Sequence, residues 1–264
     1  MGEEPTYWRR DPPPHLCGLV SGYFAYDEGG AAMRGTTEPA GLDIPFIVNF
    51  GSPFEIALGR APQRSDAITS FAAGLYAGPI VMNSDGGAKC IQVNLTPLGG
   101  RIFYQLPLKE LANRMVTLSD LDDPQINQLV GRLTDLNDWQ RRLDLVEQFV
   151  TARLAGATEP SSETIWALRQ IEKRNGAIQM SWLCSELGWS RRRLAQTLRT
   201  EFGLTPKSIA RIARFKHAEA MAAAKHRPNW ADIATACYFS DQAHLTREFA
   251  DLAGRTPTEM FATA

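Results

Sequence analysis

The sequence has few of the residues that build metal sites and disulfide frameworks. Its four cysteines, Cys17, Cys90, Cys184 and Cys237, show no C-x-x-C spacing, and of its four histidines only His15 precedes residue 160. Zinc and catalytic metal sites need clustered cysteine, histidine or carboxylate ligands. The sequence therefore predicts reduced thiols packed in the core, and neither a metal nor another cofactor.

Long apolar runs and catalytic fingerprints are also missing. No stretch approaches the roughly 18 apolar residues of a membrane span. The first residues, which include Pro12, Pro13 and Pro14, lack the apolar segment of a secretory signal. There is no phosphate-binding loop, no dinucleotide fingerprint and no G-x-S-x-G nucleophile turn. We therefore expect a cytoplasmic protein that is not an enzyme and does not contact a membrane.

Charge is distributed unevenly along the chain. Residues 1–159 contain 13 Lys and Arg against 19 Asp and Glu, a net charge of −6, whereas residues 160–264 contain 15 against 10, a net charge of +5. A basic half suits a polyanion such as DNA, although charged residues also serve simply to solvate a surface. Charge alone leaves both explanations open.

The most informative pattern is an internal repeat between residues 183–206 and 233–257. Before a central turn the offset is fifty, and after it the offset is fifty-one. The aligned pairs are Leu183 with Ile233, Cys184 with Ala234, Leu187 with Cys237, Gly188 with Tyr238, Ser190 with Ser240, Leu194 with Leu245, Leu198 with Phe249, Phe202 with Ala253, Gly203 with Gly254, Thr205 with Thr256, and Pro206 with Pro257. Each unit predicts a short helix, a tight turn and a second helix that ends at glycine, which is a helix-turn-helix.

The residues around the two units predict helix starts. Thr205 and Thr256 each precede a proline and suit the N-cap position, while Asn229 is a suitable N-cap for the second unit. Between the units, the pattern predicts a long helix over 207–225 that keeps them at a fixed separation. Successive major-groove segments on one face of a duplex are about 34 Å apart, so we expect one subunit to cover two such segments.

The second helix of each unit carries the candidate DNA-reading side chains. At 100° per residue, Leu194, Leu198 and Phe202 define a buried side and direct polar residues outward. Arginine and glutamine can pair with guanine and adenine edges in the major groove. A solvated helix face is the alternative, above all for the histidine. The candidates are Arg191, Arg192, Arg193 and Gln196 in the first unit and Gln242, Ala243, His244 and Arg247 in the second; Lys207, Arg211 and Arg214 are candidates for phosphate contacts.

Residues 165–262 resemble the AraC family of transcription regulators. The resemblance rests on the segments from Leu183 to Leu194, from Phe202 to Pro206 and from Asp232 to Phe249. It implies a C-terminal domain of seven helices with two helix-turn-helix units. Tyr238 stands where the family has a turn glycine, so we expect a differently shaped or strained second turn. The base-reading positions that the resemblance implies are Arg192, Ala195 and Gln196, then Gln242, Ala243, Thr246 and Arg247.

The N-terminal half predicts an α+β protein, with a β-rich barrel or sandwich before the helical domain. Short β-type runs alternate with turn residues, and the resemblance implies a cupin-like barrel. We expect a β-rich sensor domain at 1–105, a helical hairpin or linker at 106–157 and the DNA-binding domain at 160–264. The predicted strands are Leu19–Ala25, Ile44–Phe50, Phe54–Leu58, Ile80–Met82, Cys90–Leu95 and Ile102–Tyr104.

A predicted amphipathic helix over 139–154 has two possible roles. Its apolar stripe of Leu143, Val146, Phe149 and Val150 either forms a homodimer contact, as such helices often do in the family, or packs on its own barrel. We expect a homodimer, and the stripe leaves both packing arrangements open.

The sequence therefore predicts a sequence-specific DNA-binding regulator of transcription. In one version a small-molecule effector enters the barrel, between aromatic residues such as Phe24, Phe46, Phe50 and Tyr76. In the other the regulator is constitutive, and a solid N-terminal domain serves only dimerisation or contact with a protein partner. A third possibility is that the basic domain recruits a protein such as RNA polymerase and binds DNA weakly.

Overall fold

The computed structural model describes residues 5–226 and 228–262, which form a β-rich N-terminal domain and a helical C-terminal domain. All strand pairings are antiparallel. One sheet has the order β1-β2-β9-β4-β7-β10 and the other β3-β8-β5-β6. The strands are β1 (Thr6–Arg10), β2 (Val20–Asp27), β3 (Met33–Glu38), β4 (Ile44–Asn49), β5 (Phe54–Leu58), β6 (Ala67–Ile68), β7 (Phe71–Ala73), β8 (Ile80–Ser84), β9 (Lys89–Leu95) and β10 (Met115–Thr117).

The predicted α+β fold class is confirmed, with the two sheets forming an open, cupin-like arrangement and not a closed barrel. Side chains alternate across the larger sheet, as they must in an extended chain. On β9, Ile91 and Val93 belong to the main hydrophobic core, whereas Gln92 and Asn94 face the smaller sheet. The larger sheet is therefore covered on one side by helices and on the other by the smaller sheet.

Three helices lie in the N-terminal half: α1 (Pro97–Tyr104) between β9 and β10, and α2 (Pro124–Asp135) and α3 (Trp139–Ala155) after β10. The predicted strand Ile102–Tyr104 was wrong, because these residues belong to α1. Thr96 caps that helix by accepting a hydrogen bond from the Gly99 amide at 3.0 Å, and Pro97 occupies its first turn. The helical prediction after Leu106 was also wrong at β10, which completes the larger sheet beside β7.

The apolar stripe of α3 packs inside the chain. Leu143, Val146 and Val150 are buried, and the Phe149 ring lies 6.0 Å from that of Phe103 in α1. Of the two arrangements left open by the sequence, the structure therefore shows packing on the chain's own sheet. The thiols differ from the prediction at one position, since Cys17 is exposed.

Seven helices lie in the described part of the C-terminal half, as the family resemblance implies. The longest of them, α7, contributes Ile209, Ile212 and Phe215 to the buried core and packs against α4, α6, α8 and α9. Its close fit to α4 depends on Gly176, where a Cβ atom would stand 1.9 Å from the Ala210 carbonyl oxygen. The helices are α4 (Ser162–Lys173), α5 (Met180–Leu187), α6 (Arg191–Phe202), α7 (Pro206–Ala223), α8 (Trp230–Ala236), α9 (Gln242–Ala253) and α10 (Pro257–Met260).

The N-terminal domain contacts the end of each unit's second helix. Arg101 of α1 donates to Glu201 near the end of α6 at 2.7 Å, and both side chains are largely shielded from solvent. At the other unit, the Ala40 amide donates to the Leu252 carbonyl at 2.7 Å. The Arg255 guanidinium donates to the carbonyl of β3 residue 37 at 3.2 Å. Both units are thus attached to the β-rich domain.

The fold predicts a pH dependence of stability at Glu172 in α4. Burial raises the pKa of its carboxyl to about 7, and the positive charge of nearby Arg169 limits this rise. The folded chain therefore binds a proton that the unfolded chain releases near its ordinary pKa of roughly 4.3, so this site's contribution is lost as pH rises towards 7. We expect Glu172→Gln to raise the free energy of unfolding by about 1 to 3 kcal/mol at pH 8 and by much less at pH 5. Urea unfolding at both pH values measures this. An equal effect of the substitution at the two pH values would contradict the assignment.

Candidate nucleic-acid interface and ligand cavity

The turns of the two units have the same backbone shape. Gly188 has φ 62°, and the Trp189 amide donates to the Cys184 carbonyl at 3.0 Å. Tyr238 has φ 59°, and the Phe239 amide donates to the Ala234 carbonyl at 2.9 Å. Tyr238 thus has the strained left-handed backbone that the sequence predicted. The alternative expectation, a second turn of different shape, was wrong.

Each recognition helix, α6 and α9, begins at a side-chain cap. Ser190 accepts from the Arg193 amide at 3.1 Å, and Asp241 accepts from the His244 amide at 2.6 Å. This backbone hydrogen bond lowers the pKa of Asp241. The sequence alignment paired Ser190 with Ser240, but the offset of fifty-one that holds beyond the turn pairs it structurally with Asp241. The inserted residue therefore precedes the second cap.

The predicted outward side of the first recognition helix is confirmed as exposed. Leu194, Leu198 and Phe202 are buried, and Ala195 is half-buried. The guanidinium of Arg193 is exposed but lies 4.4 Å from the centre of the Trp189 ring, which restrains it. The exposed residues on this side are Arg191, Arg192, Arg193 and Gln196.

The second recognition helix separates its candidates into two groups. Gln242, Ala243 and Arg247 are exposed at its start. His244 is half-buried, lies 3.1 Å from the Ser240 hydroxyl and meets the Phe239 ring edge-on, and the half-buried Thr246 donates to the Gln242 carbonyl. The latter two side chains therefore have partners within the chain, in keeping with the alternative reading of the histidine.

Two of the three candidate phosphate contacts are engaged elsewhere. Arg211 of α7 donates to Glu248 at 2.5 Å and to Asp251 at 2.6 Å, both on α9. Arg214 lies over the Phe239 ring, 5.1 Å from its centre. These two arginines attach α7 to the second unit, while Lys207 is exposed.

A cavity of about 370 Å³ lies between the two sheets. Of the four aromatic residues predicted for an effector site, Phe24 lines it. Phe46 points to the opposite face and meets Phe103, at 5.4 Å between ring centres. Phe50 lies under Arg142, and Tyr76 packs beside glycines of the adjoining loops. The other lining residues include Tyr7, Tyr26, Met33, Glu38, Phe54, Met82, Gln92, Asn94 and Met115.

The described residues show no cluster that would hold a metal and no helix that could cross a membrane. Within 5–226 and 228–262, no three His, Cys, Asp or Glu side chains are grouped as ligands. None of the helices in these ranges is both long and apolar enough for a span.

Comparisons with known proteins agree with this architecture. Residues 183–263 match the family described as helix-turn-helix domain. The structure of ToxT from Vibrio cholerae superposes with a TM-score of 0.50 at 10% identity, covering 99% of this chain and 98% of that one. ToxT bound to an unsaturated fatty acid gives 0.47 at 10% identity, covering 87% and 92%. The AraC-like transcriptional activator CuxR gives 0.27 at 16%, covering 84% and 96%. No curated protein matches the sequence.

The paired turns generate a matched stability prediction. A side-chain-bearing residue in the left-handed region costs roughly 1 kcal/mol, and a Cβ atom at Gly188 would meet no atom within 4 Å. We therefore expect Gly188→Ala to lower the free energy of unfolding by about 1 kcal/mol through backbone conformation alone. Tyr238 is 71% exposed, so Tyr238→Gly should be neutral or stabilising. Urea unfolding of both variants provides the measurement, and a marked loss of stability in Tyr238→Gly would contradict the argument.

Proposed function

We propose that this chain, which carries an AraC-type helix-turn-helix domain, is a sequence-specific transcription regulator controlled by a small molecule bound between its sheets. The observation that carries the proposal is the duplicated unit: each copy presents exposed arginine or glutamine at the start of its second helix. Residues near that end of a recognition helix reach furthest into the major groove. We assign DNA binding to 160–264 and sensing to 1–105, with 106–157 completing the sensor.

Base reading is assigned to the exposed side chains at the two helix starts. Arg192 and Gln196 in the first unit, and Gln242 and Arg247 in the second, have donor groups that match guanine or adenine edges. Arg191, Arg193, Ala243, His244 and Thr246 flank these positions, and we propose that they complete the contact surface. Lys207 is proposed as a phosphate contact, which adds affinity without sequence preference.

The connecting helix supports simultaneous docking of both units. The 18 residues of α7 span about 27 Å at 1.5 Å per residue, and the helix packs against both units. Such a rigid spacer suits two successive major-groove segments, which lie about 34 Å apart. Each subunit would then cover an asymmetric site on one face of the duplex.

The cavity supports control by an effector over the constitutive alternative. A solid N-terminal domain would suit a module that only dimerises, whereas an apolar space of about 370 Å³ lies within the range of small-molecule sites. β3 forms one wall of the cavity. The end of this strand and the residues directly after it contact the second unit. A ligand that binds two arrangements of these domains with different affinity would shift DNA binding.

Two further features of the proposal concern partners. We propose that the chain acts in the cytoplasm and that RNA polymerase is its protein partner at a promoter. We also propose a homodimer. The buried stripe of α3 is not available for that contact, so another surface must provide it.

Arg192→Ala and Arg247→Ala test the base-reading assignment. The full chain is first used to select fragments from a genomic library at two salt concentrations. Affinities are then measured on the selected operator and on a scrambled duplex. We expect each substitution to cost on the order of 1 to 3 kcal/mol on the operator and little on the scrambled duplex.

Two control variants sharpen this result. Lys207→Ala should weaken binding to both duplexes alike and reduce the slope of affinity against salt by about one. Arg132 is exposed on α2, and Arg132→Ala should change neither affinity. Equal losses on all duplexes for the two arginine variants would show that they contact phosphates only. Weak, salt-labile and sequence-blind binding by the unaltered chain would instead favour recruitment of a protein partner.

A further inference from the structure

The walls of the cavity between the sheets include five aromatic and three sulfur-containing side chains. The rings of Tyr7 and Phe24 are 6.0 Å apart between centres, and those of Tyr26 and Phe54 are 6.4 Å apart. Aromatic faces carry partial negative charge and attract cations. Thioethers are polarisable and adapt to the shape of a ligand. The methionines are Met33, Met82 and Met115, and the aliphatic side chains of Ile47, Ile56, Leu58 and Ile80 also line the cavity.

The polar groups of the cavity are few and carry no positive charge. Among the described residues that line it, Glu38 alone is ionisable as a carboxylate, and no lysine or arginine contributes to the lining. Gln92 donates to the Asn94 side-chain oxygen at 2.7 Å, so these two amides partly satisfy each other. An anionic ligand would therefore meet a carboxylate and no countercharge.

Glu38, the last residue of β3, lines the cavity and is exposed to solvent. The surrounding protein atoms raise the pKa of Glu38, while Lys216 of α7 opposes that rise. Lys216 is paired with Glu219. The nearest arginine along β1, Arg9, lies 6.0 Å from the centre of the Phe24 ring and is paired with Asp11 at 3.1 Å. Lys216 and Arg9 thus have acidic partners of their own.

We infer that this cavity binds a lipophilic cation, a quaternary ammonium compound whose charged group lies against the aromatic faces beside Glu38 and whose apolar body fills the rest of the cavity. The inference rests on the proposed function, in which the cavity holds the effector. Aromatic faces together with one carboxylate form the type of site that recognises quaternary ammonium groups. Because such a group has no N–H to donate, recognition depends on charge and on the ring faces.

The position of Glu38 also connects this ligand to the DNA-binding domain. The preceding residue, Thr37, accepts a hydrogen bond from Arg255 through its carbonyl. Two residues after Glu38, the Ala40 amide donates to the Leu252 carbonyl of α9. A cation drawn to Glu38 therefore acts on the strand end that is attached to the second helix-turn-helix unit.

A series of three ligands of nearly equal shape tests the inference. Benzyltrimethylammonium carries a positive charge, neopentylbenzene is its neutral counterpart, and benzylsulfonate is its anionic counterpart. Each is titrated into the full chain labelled with ¹³C at the methionine methyl groups. Met33, Met82 and Met115 report on the cavity, while Met180 and Met221 of the C-terminal domain serve as internal references.

We expect the ammonium ligand to shift the three cavity methyl signals and to bind about tenfold more tightly than neopentylbenzene, with no measurable binding of benzylsulfonate. Glu38→Gln should remove most of that preference and leave the affinity for neopentylbenzene unchanged, which also shows that the variant folds. The matched control is Glu55→Gln. Glu55 accepts from Asn83 at 2.9 Å outside the cavity lining, so its substitution should preserve the preference.

The outcomes distinguish this inference from the proposed function. If neopentylbenzene or benzylsulfonate shifts the cavity methyl signals and binds as tightly as the ammonium ligand or more tightly, the inference of a cationic ligand is overturned. The cavity would then still be an effector site. Shifts confined to Met180 and Met221 would overturn it as well. If no ligand perturbs the cavity while the chain still selects an operator, the ligand site is overturned and the DNA-binding function stands. Operator affinity measured with saturating ammonium ligand then tests the coupling.

Discussion

The arrangement of the whole C-terminal domain depends on the buried face of α7. Phe215 of this helix meets Phe249 of the second recognition helix at 4.8 Å between ring centres, while Ile209 and Ile212 lie in the same buried core as Leu198 of the first. Because one rigid helix supplies side chains to the cores of both units, neither unit can rotate without disturbing the other. Close packing makes such a core resist continuous deformation. The relative placement of the two helix-turn-helix units is therefore a property of α7.

The two arginines on α7 strengthen this constraint in different ways. Arg211 reaches two carboxylates on α9, and Arg214 covers the ring of Phe239, the residue that follows the strained turn position. Removing one partner of a shielded ion pair leaves an uncompensated charge, so the Arg211–Glu248 pair favours one relative position of α7 and α9. The packing around Phe239 thus fixes the second turn and offsets the free-energy cost of a tyrosine at positive φ. The second turn therefore keeps the shape of the first.

The helix-turn-helix units could be predicted from sequence because their determinants are local. Caps such as Thr205 and Thr256, the glycine after each second helix and the spacing of buried leucines act within a few residues. The cavity could not be predicted in the same way. Phe46 and Ile47 are neighbours on one strand, yet only Ile47 faces the space between the sheets. That choice depends on which face of the sheet the helices cover, and it is set by contacts distant in sequence. The ion pairs of Arg211 are equally non-local, which is why its charge alone suggested a phosphate contact.

The interface between the domains imposes a reciprocal relation on the two sites. The β-rich domain contacts α6 through Arg101 and the second unit through the segment after β3. If ligand binding changes the affinity for DNA by some factor, DNA binding must change the affinity for the ligand by the same factor. The contacts at the C-terminal ends of α6 and α9 leave the N-terminal residues of both helices exposed, so the β-rich domain is attached to both units without covering the side chains that we propose to read bases. In the proposed function, control of affinity and choice of sequence are therefore located in different parts of this chain.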